Sequence, residues 1–442
     1  MREIEKTPGW DLSNLNIGLL TRAVSGDLKA VVDEINEEYL YWDKVKYKAR
    51  TIGIEPYDLW TVVKFTRTLQ QRDLQINGEK FSFSITESTT RLLHKFDLDW
   101  GGKLGTKSIL RDDAKDYYLI SSIMEEAIAS SQIEGAVTTR KMAKDMLRKK
   151  RPPRNKSEQM IINNYETISY IASLENKMLN HELLLEIHRL MTKDTMDSKE
   201  DEGRYRTNDD VNVVDAVDGT IVHHPPAHGE IEKYLRDLFD FFNDTGDVPF
   251  IHPIIKGCII HFMIGYIHPF VDGNGRTARA LYYWYLIKEG YWLIKYISIS
   301  RLIVKTKVQY AKAYIYSEND SLDLSYFIQY KLKTMKLGFK SLREYIDRKI
   351  AEKQIVNRFQ LIDGVNERQG LILTWLNEED NLLLTVKEVE SRLNVANQTA
   401  RNDLEGLVKL GLVVTFKVNL KTKAYTLPRY HKFHDFEDEP PF

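Results

Sequence analysis

The chain has 442 residues, of which 43% are hydrophobic and 29% charged; this excludes a largely disordered polymer and leaves room for about three domains at roughly 100–200 residues each. Lysine and arginine number 63 against 64 aspartates and glutamates, a balance that excludes a chain built throughout to coat nucleic acid or an anionic membrane. A single cysteine, Cys258, excludes an intrachain disulfide and points to a reducing compartment.

The opening string MREIEKTPGW has alternating charge and no apolar signal-peptide core. The longest uncharged stretch near the middle, 257–271, falls short of the roughly 20 residues a spanning helix needs. The expected location is the cytoplasm, with no membrane partner. Glycine and proline are scarce, at 23 and 12, and helical spacing recurs, so the expected class is mostly α.

Residues 30–41 and 59–69 are apolar and aromatic-rich, as in a small packing domain. The string GGKLGTKS at 101–108 lacks the spacing of a phosphate loop and reads as a turn. A helical pattern runs over 115–148, and the run RKKRPPRNK at 148–156 then reads as a solvated loop rather than a nucleic-acid patch. Helical spacing resumes over 157–174 and 182–191. The polar segment 203–226 has β-branched residues on both sides of Asp218-Gly219, a hairpin signal. Helices return over 229–242 and 253–267, and another starts near Gly275. After about residue 353 the order becomes helix 370–377, strand 382–385, helix 386–393, helix 397–410 and strands 413–416 and 423–427, which is the order of a winged helix-turn-helix.

The most informative string is HPFVDGNGRTAR, residues 268–279. An apolar helix ends before Pro269, and a new helix begins after a short glycine-rich loop. Unpaired N–H groups at a helix start point at one spot, and the helix dipole favours an anion there. Gly273 and Gly275 let the backbone approach a ligand closely. Arg276 and Arg279, three apart, can fork onto phosphate oxygens, and cations at a helix start make sense if an anion lies between them and the dipole. Asp272 is a hard oxygen ligand suited to Mg²⁺ beside phosphate. His268, at the loop entrance, suits a general base near neutral pH.

The string matches HPFx[D/E]GNGRxxR and so resembles the Fic-domain family, most of whose members transfer AMP from ATP to a target hydroxyl. Ala278 stands where glycine is frequent. The resemblance implies that His268 deprotonates a Tyr, Thr or Ser hydroxyl of a protein target and that Asp272 binds Mg²⁺ between the α- and β-phosphates. It implies an anion hole from Gly273, Asn274 and Gly275, phosphate contacts from Arg276, a γ-phosphate contact from Arg279, and packing of the loop by Phe270. The hairpin at 211–222 resembles the family's flap, with Thr220, Ile221 and Val222 as candidate contacts to a target strand. His223, His224 and His228 suggest zinc, but Pro225-Pro226 between them favours a loop.

The string SSQIEG, residues 130–135, matches the family's inhibitory motif [S/T]xxxE[G/N]. Ser130 and Glu134 share one helical face, and Gly135 is placed to end the helix. The resemblance implies a carboxylate that pairs with Arg279 and takes the γ-phosphate's place, in the class II arrangement. The same glutamate supports removal of AMP in some members.

The resulting expectation is a mostly α, Fic-type core with a β-hairpin flap and a C-terminal winged helix-turn-helix. Residues 1–110 resemble the Fic-associated N-terminal domain, through YWDKVKYK at 41–48 and Trp60; 111–350 form the catalytic domain and 360–430 the winged helix. The winged helix offers Asn397, Gln398, Thr399, Arg401 and Asn402 to DNA, but nine basic against eight acidic residues over 367–429, with Asp403 and Glu405 on the helix, rank protein docking or dimerisation ahead of it. ATP is the expected substrate and Mg²⁺ the expected metal. Self-modification and a homodimer are further partner readings. The alternatives are Fic-type transfer of another phosphate-containing group, de-AMPylation, and a nucleotide-sensing transcriptional regulator.

Overall fold

The computed structural model describes residues 4–98, 112–174, 177–215, 219–245, 249–360, 362–379, 382–417 and 422–428. They divide into two compact units, Met1–Leu342 and Arg343–Phe442.

The first unit opens with α1 (Ile17–Ser25), α2 (Lys29–Glu37), α3 (Trp42–Thr51) and α4 (Pro56–Thr68). Ile35, Trp42, Val45 and Trp60 meet in one buried cluster, so these aromatics are core. Both indoles keep their polar edge satisfied: Trp42 donates to the Glu5 carboxylate at 2.8 Å and Trp60 to the Pro8 carbonyl at 3.2 Å. A hairpin of β1 (Gln71–Ile76) and β2 (Glu79–Ser84) follows, turning at Asn77-Gly78, and α5 (Glu87–Phe96) comes next. The GGKLGTKS turn and the junction near residue 110 lie outside the described residues.

The helical stretch expected over 115–148, with Gly135 placed to end a helix within it, is two helices, α6 (Asp112–Ile133) and α7 (Arg140–Arg148). Gly135 adopts φ +93°, which ends the first, and the Thr139 hydroxyl accepts from the Met142 N–H to start the second. Then come α8 (Lys156–Ile171), α9 (His181–Thr192), the short antiparallel pair β3 (Val213–Val214) and β4 (Ile221–His223), and α10 (Ile231–Asn243). Asp218 of the expected hairpin turn lies outside the described residues. The string HPFVDGNGRTAR joins α11 (Pro253–Ile267) to α12 (Asn274–Lys288), and α13 (Ile299–Lys305), α14 (Lys307–Asn319) and α15 (Ser325–Gln360) follow. Helix α11 is apolar on nearly every side and buried along most of its length, as befits a central helix. Cys258 on it is fully buried, and burial pushes its thiol up to about 12, so it is an inert core residue. No helix among the described residues is long and apolar enough to cross a membrane.

The second unit contains α16 (Glu367–Glu378), β5 (Leu384–Thr385), α17 (Val386–Leu393), α18 (Asn397–Lys409), β6 (Val414–Lys417) and β7 (Lys423–Thr426), in a sheet of order β5-β7-β6. Capping boxes start α16, through Asn366 and Gln369, and α17, through Thr385 and Glu388. Ile372, Leu376, Val389, Leu404 and Tyr425 form the core. Asp403 does not load the outer face of α18 with charge: it is buried and takes a forked bond from Arg368, at 2.6 and 3.1 Å, plus one from Asn366. Asn397, Gln398, Arg401 and Asn402 are exposed on that outer face, as is Glu405.

Candidate active site

Residues 268–279 fold back on themselves between α11 and α12. His268 takes the left-handed conformation, φ +48°, at the end of α11, its N–H bonded to Ile264 O. Asn274 braces the loop: its side chain accepts from the Phe270 N–H at 2.9 Å and donates to the Phe270 carbonyl at 2.8 Å. Phe270 is fully buried and stacks on His188 of α9, with centroids 3.7 Å apart and rings 6° from parallel. His188 donates from Nε2 to the Asp272 carbonyl at 2.8 Å and accepts the Gly203 N–H on Nδ1 at 3.1 Å. That pattern requires a neutral ring, and burial lowers its pKa to about 4. The loop is therefore held from below before any ligand arrives.

Gly273 at φ +86° precedes α12, and no side chain caps that helix. The N–H groups of its first turn are thus left to an outside acceptor. The two arginines behave differently from one another. Arg276 is wholly buried; it donates to Asp272 Oδ2 at 3.1 Å and to the Met191 carbonyl at 3.3 Å, and its Nε has no partner among the described residues. Arg276 is thus engaged by Asp272 and Met191, whereas Arg279 lines a hollow. Asp272 keeps its side chain 51% exposed.

Arg279, also buried, meets the inhibitory-type motif directly. It donates from Nε to Ser130 Oγ at 2.9 Å, and from one Nη to Ser130 O at 3.0 Å and Glu134 Oε1 at 2.8 Å. Its other Nη has no partner among the described residues. The Glu134 carboxylate lies so close to Gly275 that any Cβ at that position would collide with it. An internal anion thus occupies the start of α12, where dipole and guanidinium both favour negative charge.

Glu134, His268, Gly275 and Arg279 line one hollow of about 220 Å³, roofed by Val213 and Val222 of the hairpin. His268 Nδ1 lies 3.2 Å from the Gly265 carbonyl, so it carries the hydrogen and the Nε2 lone pair is left to accept. Burial lowers this imidazole to about 4, and it is neutral at pH 7. Arg206 fixes the backbone behind it, donating from Nε to the His268 carbonyl at 3.0 Å and from its N–H to the Pro269 carbonyl at 2.9 Å. Neither His188 nor Arg206 carries a local signal of these contacts in the sequence. Of the three histidines considered for zinc, His223 bonds Glu318 and the Tyr266 carbonyl, His224 bonds Asn212, and His228 faces Asp209. Thr220 and Ile221 border a second, larger groove, and Val222 borders both hollows.

A divalent cation can be tested against these donors. Among the described residues no three metal-ligating side chains cluster. Asp272 is one half-exposed hard oxygen beside an anion site, which fits Mg²⁺ held by one carboxylate and by substrate phosphates.

Comparison with known proteins shows what the chain is similar to. Residues 178–286 match the Fic/DOC family, and residues 368–416 match a DeoR-like helix-turn-helix domain. Among curated proteins, a protein adenylyltransferase Fic from Nematostella vectensis is 31% identical over 168 residues, covering 37% of each chain. A protein of the same name from Drosophila erecta is 35% identical over 69 residues, covering 16% of this chain and 14% of its own. The matches thus span well under half the length of these curated relatives. Among solved structures, a Fic family protein from Desulfovibrio desulfuricans covers 76% of this chain and 94% of its own, at 20% identity and a TM-score of 0.48.

Proposed function

We propose that this chain, which carries a Fic/DOC-family domain over residues 178–286, is a protein adenylyltransferase restrained by its own Glu134. The observation that carries the reading is the convergence of His268, Gly275, Arg279 and Glu134 on one hollow.

In the reaction, the oxygen of a Tyr, Thr or Ser side chain attacks the α-phosphorus of ATP. The new P–O bond forms as the bond to the β-phosphate bridging oxygen breaks, and pyrophosphate leaves. The hydroxyl proton passes to Nε2 of His268, which is neutral and open to receive it. First-turn N–H groups at Gly275 and its neighbours, together with Arg279, hold the phosphates, and Arg276 steadies the Asp272 carboxylate. Mg²⁺ on Asp272 would neutralise charge on the phosphates when bound. Most of the acceleration comes from positioning and charge neutralisation. Thr220, Ile221 and Val222 offer the strand along which a target segment lies. Residues 1–110 act as an accessory region, 111–350 as the catalytic domain and 360–430 as a winged helix, in a cytoplasmic protein that also accepts self-modification.

ATP labelled on either the α- or the γ-phosphate tests this. Protein-bound label from the α-labelled nucleotide alone supports AMP transfer; label from the γ-phosphate alone would mean phosphate transfer instead. The His268→Ala variant should lose the label by about 10²–10⁴-fold while retaining ATP binding, as expected for removal of a general base. A second reading, a nucleotide-sensing regulator, is favoured by the DeoR-like match over 368–416. Salt-dependent gel shifts against random DNA separate it, because phosphate contacts weaken steeply with salt.

A further inference from the structure

The active hollow of about 220 Å³ is not alone on this side of the molecule. A larger groove of about 890 Å³ runs along β4, bordered by the consecutive residues Thr220 to His224. The two hollows share a wall made of Val222, His223, Ile315 and Glu318. A side chain held in the groove must pass this wall to reach His268.

His223 is the best-anchored residue of that wall. It is buried, with Nδ1 2.8 Å from Glu318 Oε2 on α14 and Nε2 2.7 Å from the Tyr266 carbonyl on α11. A carboxylate and a carbonyl oxygen thus face the two ring nitrogens, so each nitrogen is placed to donate and the ring is pinned at both ends. Tyr266 lies two residues before His268 and stands 5.2 Å away, ring to ring, from His223; its hydroxyl donates to Glu79 of β2 at 2.9 Å. The titratable groups facing His223 are therefore Glu318 from α14 and Tyr266 and His268 from α11, with Glu79 one bond further on. Its neighbour His224 is turned to Asn212 instead.

We propose that His223 and Glu318 are positioning residues: their ion pair fixes β4 against α11 and α14, and so sets how closely a target hydroxyl approaches His268. The proposal rests on the transfer reading above.

The test uses the full chain with His223→Gln, Glu318→Gln and the double substitution. Glu318→Gln keeps the shape and removes the charge, and unchanged ATP affinity by calorimetry shows that each variant is folded. Loss of one charge-assisted bond should raise amide exchange at β3 and β4 by about tenfold. The double variant should be no worse than the worse single one, because the pair acts as a unit. With histidine nitrogens labelled, wild-type His223 should show two N–H nitrogens at pH 7, and one should lose its hydrogen in Glu318→Gln. In a Glu134→Gly background, self-labelling from α-labelled ATP should fall about tenfold while ATP affinity holds within about twofold. Unchanged exchange in both single variants, a bare nitrogen on wild-type His223, or ATP affinity falling in step with transfer would each overturn the proposal. Absence of any label in the Glu134→Gly parent would instead overturn the transfer reading, and the exchange and nitrogen signals would still decide the role of the pair.

Discussion

His268 is held in a left-handed turn, hydrogen-bonded on Nδ1 and largely buried, and each of these features favours one state, the neutral Nε2 acceptor. The kinetic consequence follows from the direction of the shift. Burial lowers the imidazole from 6.5 to about 4, so the ring stays neutral, as the proposed base must be, well below the pH at which a free histidine would be charged. AMP transfer by the Glu134→Gly variant should therefore stay level from pH 8 to about 5 with respect to this group, and fall as pH drops through about 4. A rate that halves near pH 6.5 would mean that His268 is solvated rather than buried. The contiguous part of this site was legible in the sequence, because HPFVDGNGRTAR carries base, carboxylate and arginines within twelve residues. The supporting residues were not. His188, Arg206 and Glu318 reach the loop or the hairpin from more than 40 residues away in sequence, and nothing in local spacing signals such contacts. Spacing likewise does not show that the two arginines, three apart, take different partners: Arg276 meets Asp272 while Arg279 meets Glu134.

At the scale of elements, Gly273 marks the junction where α12 begins. It combines φ +86° with a setting in which a Cβ would approach Thr192 Cγ2 to 2.8 Å. Gly273→Ala should therefore destabilise the first unit by about 1–3 kcal/mol through backbone strain and close contact, read as a lower denaturant midpoint. A stability equal to wild type would mean that the junction relaxes freely. Gly135 plays a comparable part after α6, where its positive φ divides a stretch whose apolar spacing alone suggested one long helix. Periodicity reports which face is apolar, not where a left-handed residue will end the run. The β1–β2 hairpin was missed for another reason: its Asn77-Gly78 signal was present but lay in a region read as helical packing. The winged helix was legible element by element, because capping boxes and short β-rich strands declare its boundaries locally. The fork that Arg368 donates to Asp403 was not, since it spans 35 residues and reverses the face on which that charge counts.

Across the molecule, a net charge of −1 conceals several buried polar groups whose states the fold dictates. His188 and His268 are both lowered to about 4 by burial, against about 6.5 when unfolded. Between those values the unfolded chain takes up protons that the folded one refuses, so stability falls as pH drops from 6.5 to 4, and these two groups take no more below it. The cost reaches about 3 kcal/mol for each histidine at the lower limit. Denaturant midpoints at pH 7.5 and 5 should differ in that direction, and His188→Gln should flatten the slope; equal midpoints would contradict the burial of both rings.

The central claim is that Glu134 occupies the anion place at the start of α12 and so restrains AMP transfer. Its most direct test is the rate of protein labelling from α-labelled ATP by Glu134→Gly beside wild type, at equal concentration and pH 7.5. The carboxylate's bond to Arg279 is charge-assisted, worth about 1.5–3 kcal/mol, so its removal should raise labelling by about tenfold or more. Labelling no greater than wild type would contradict the claim.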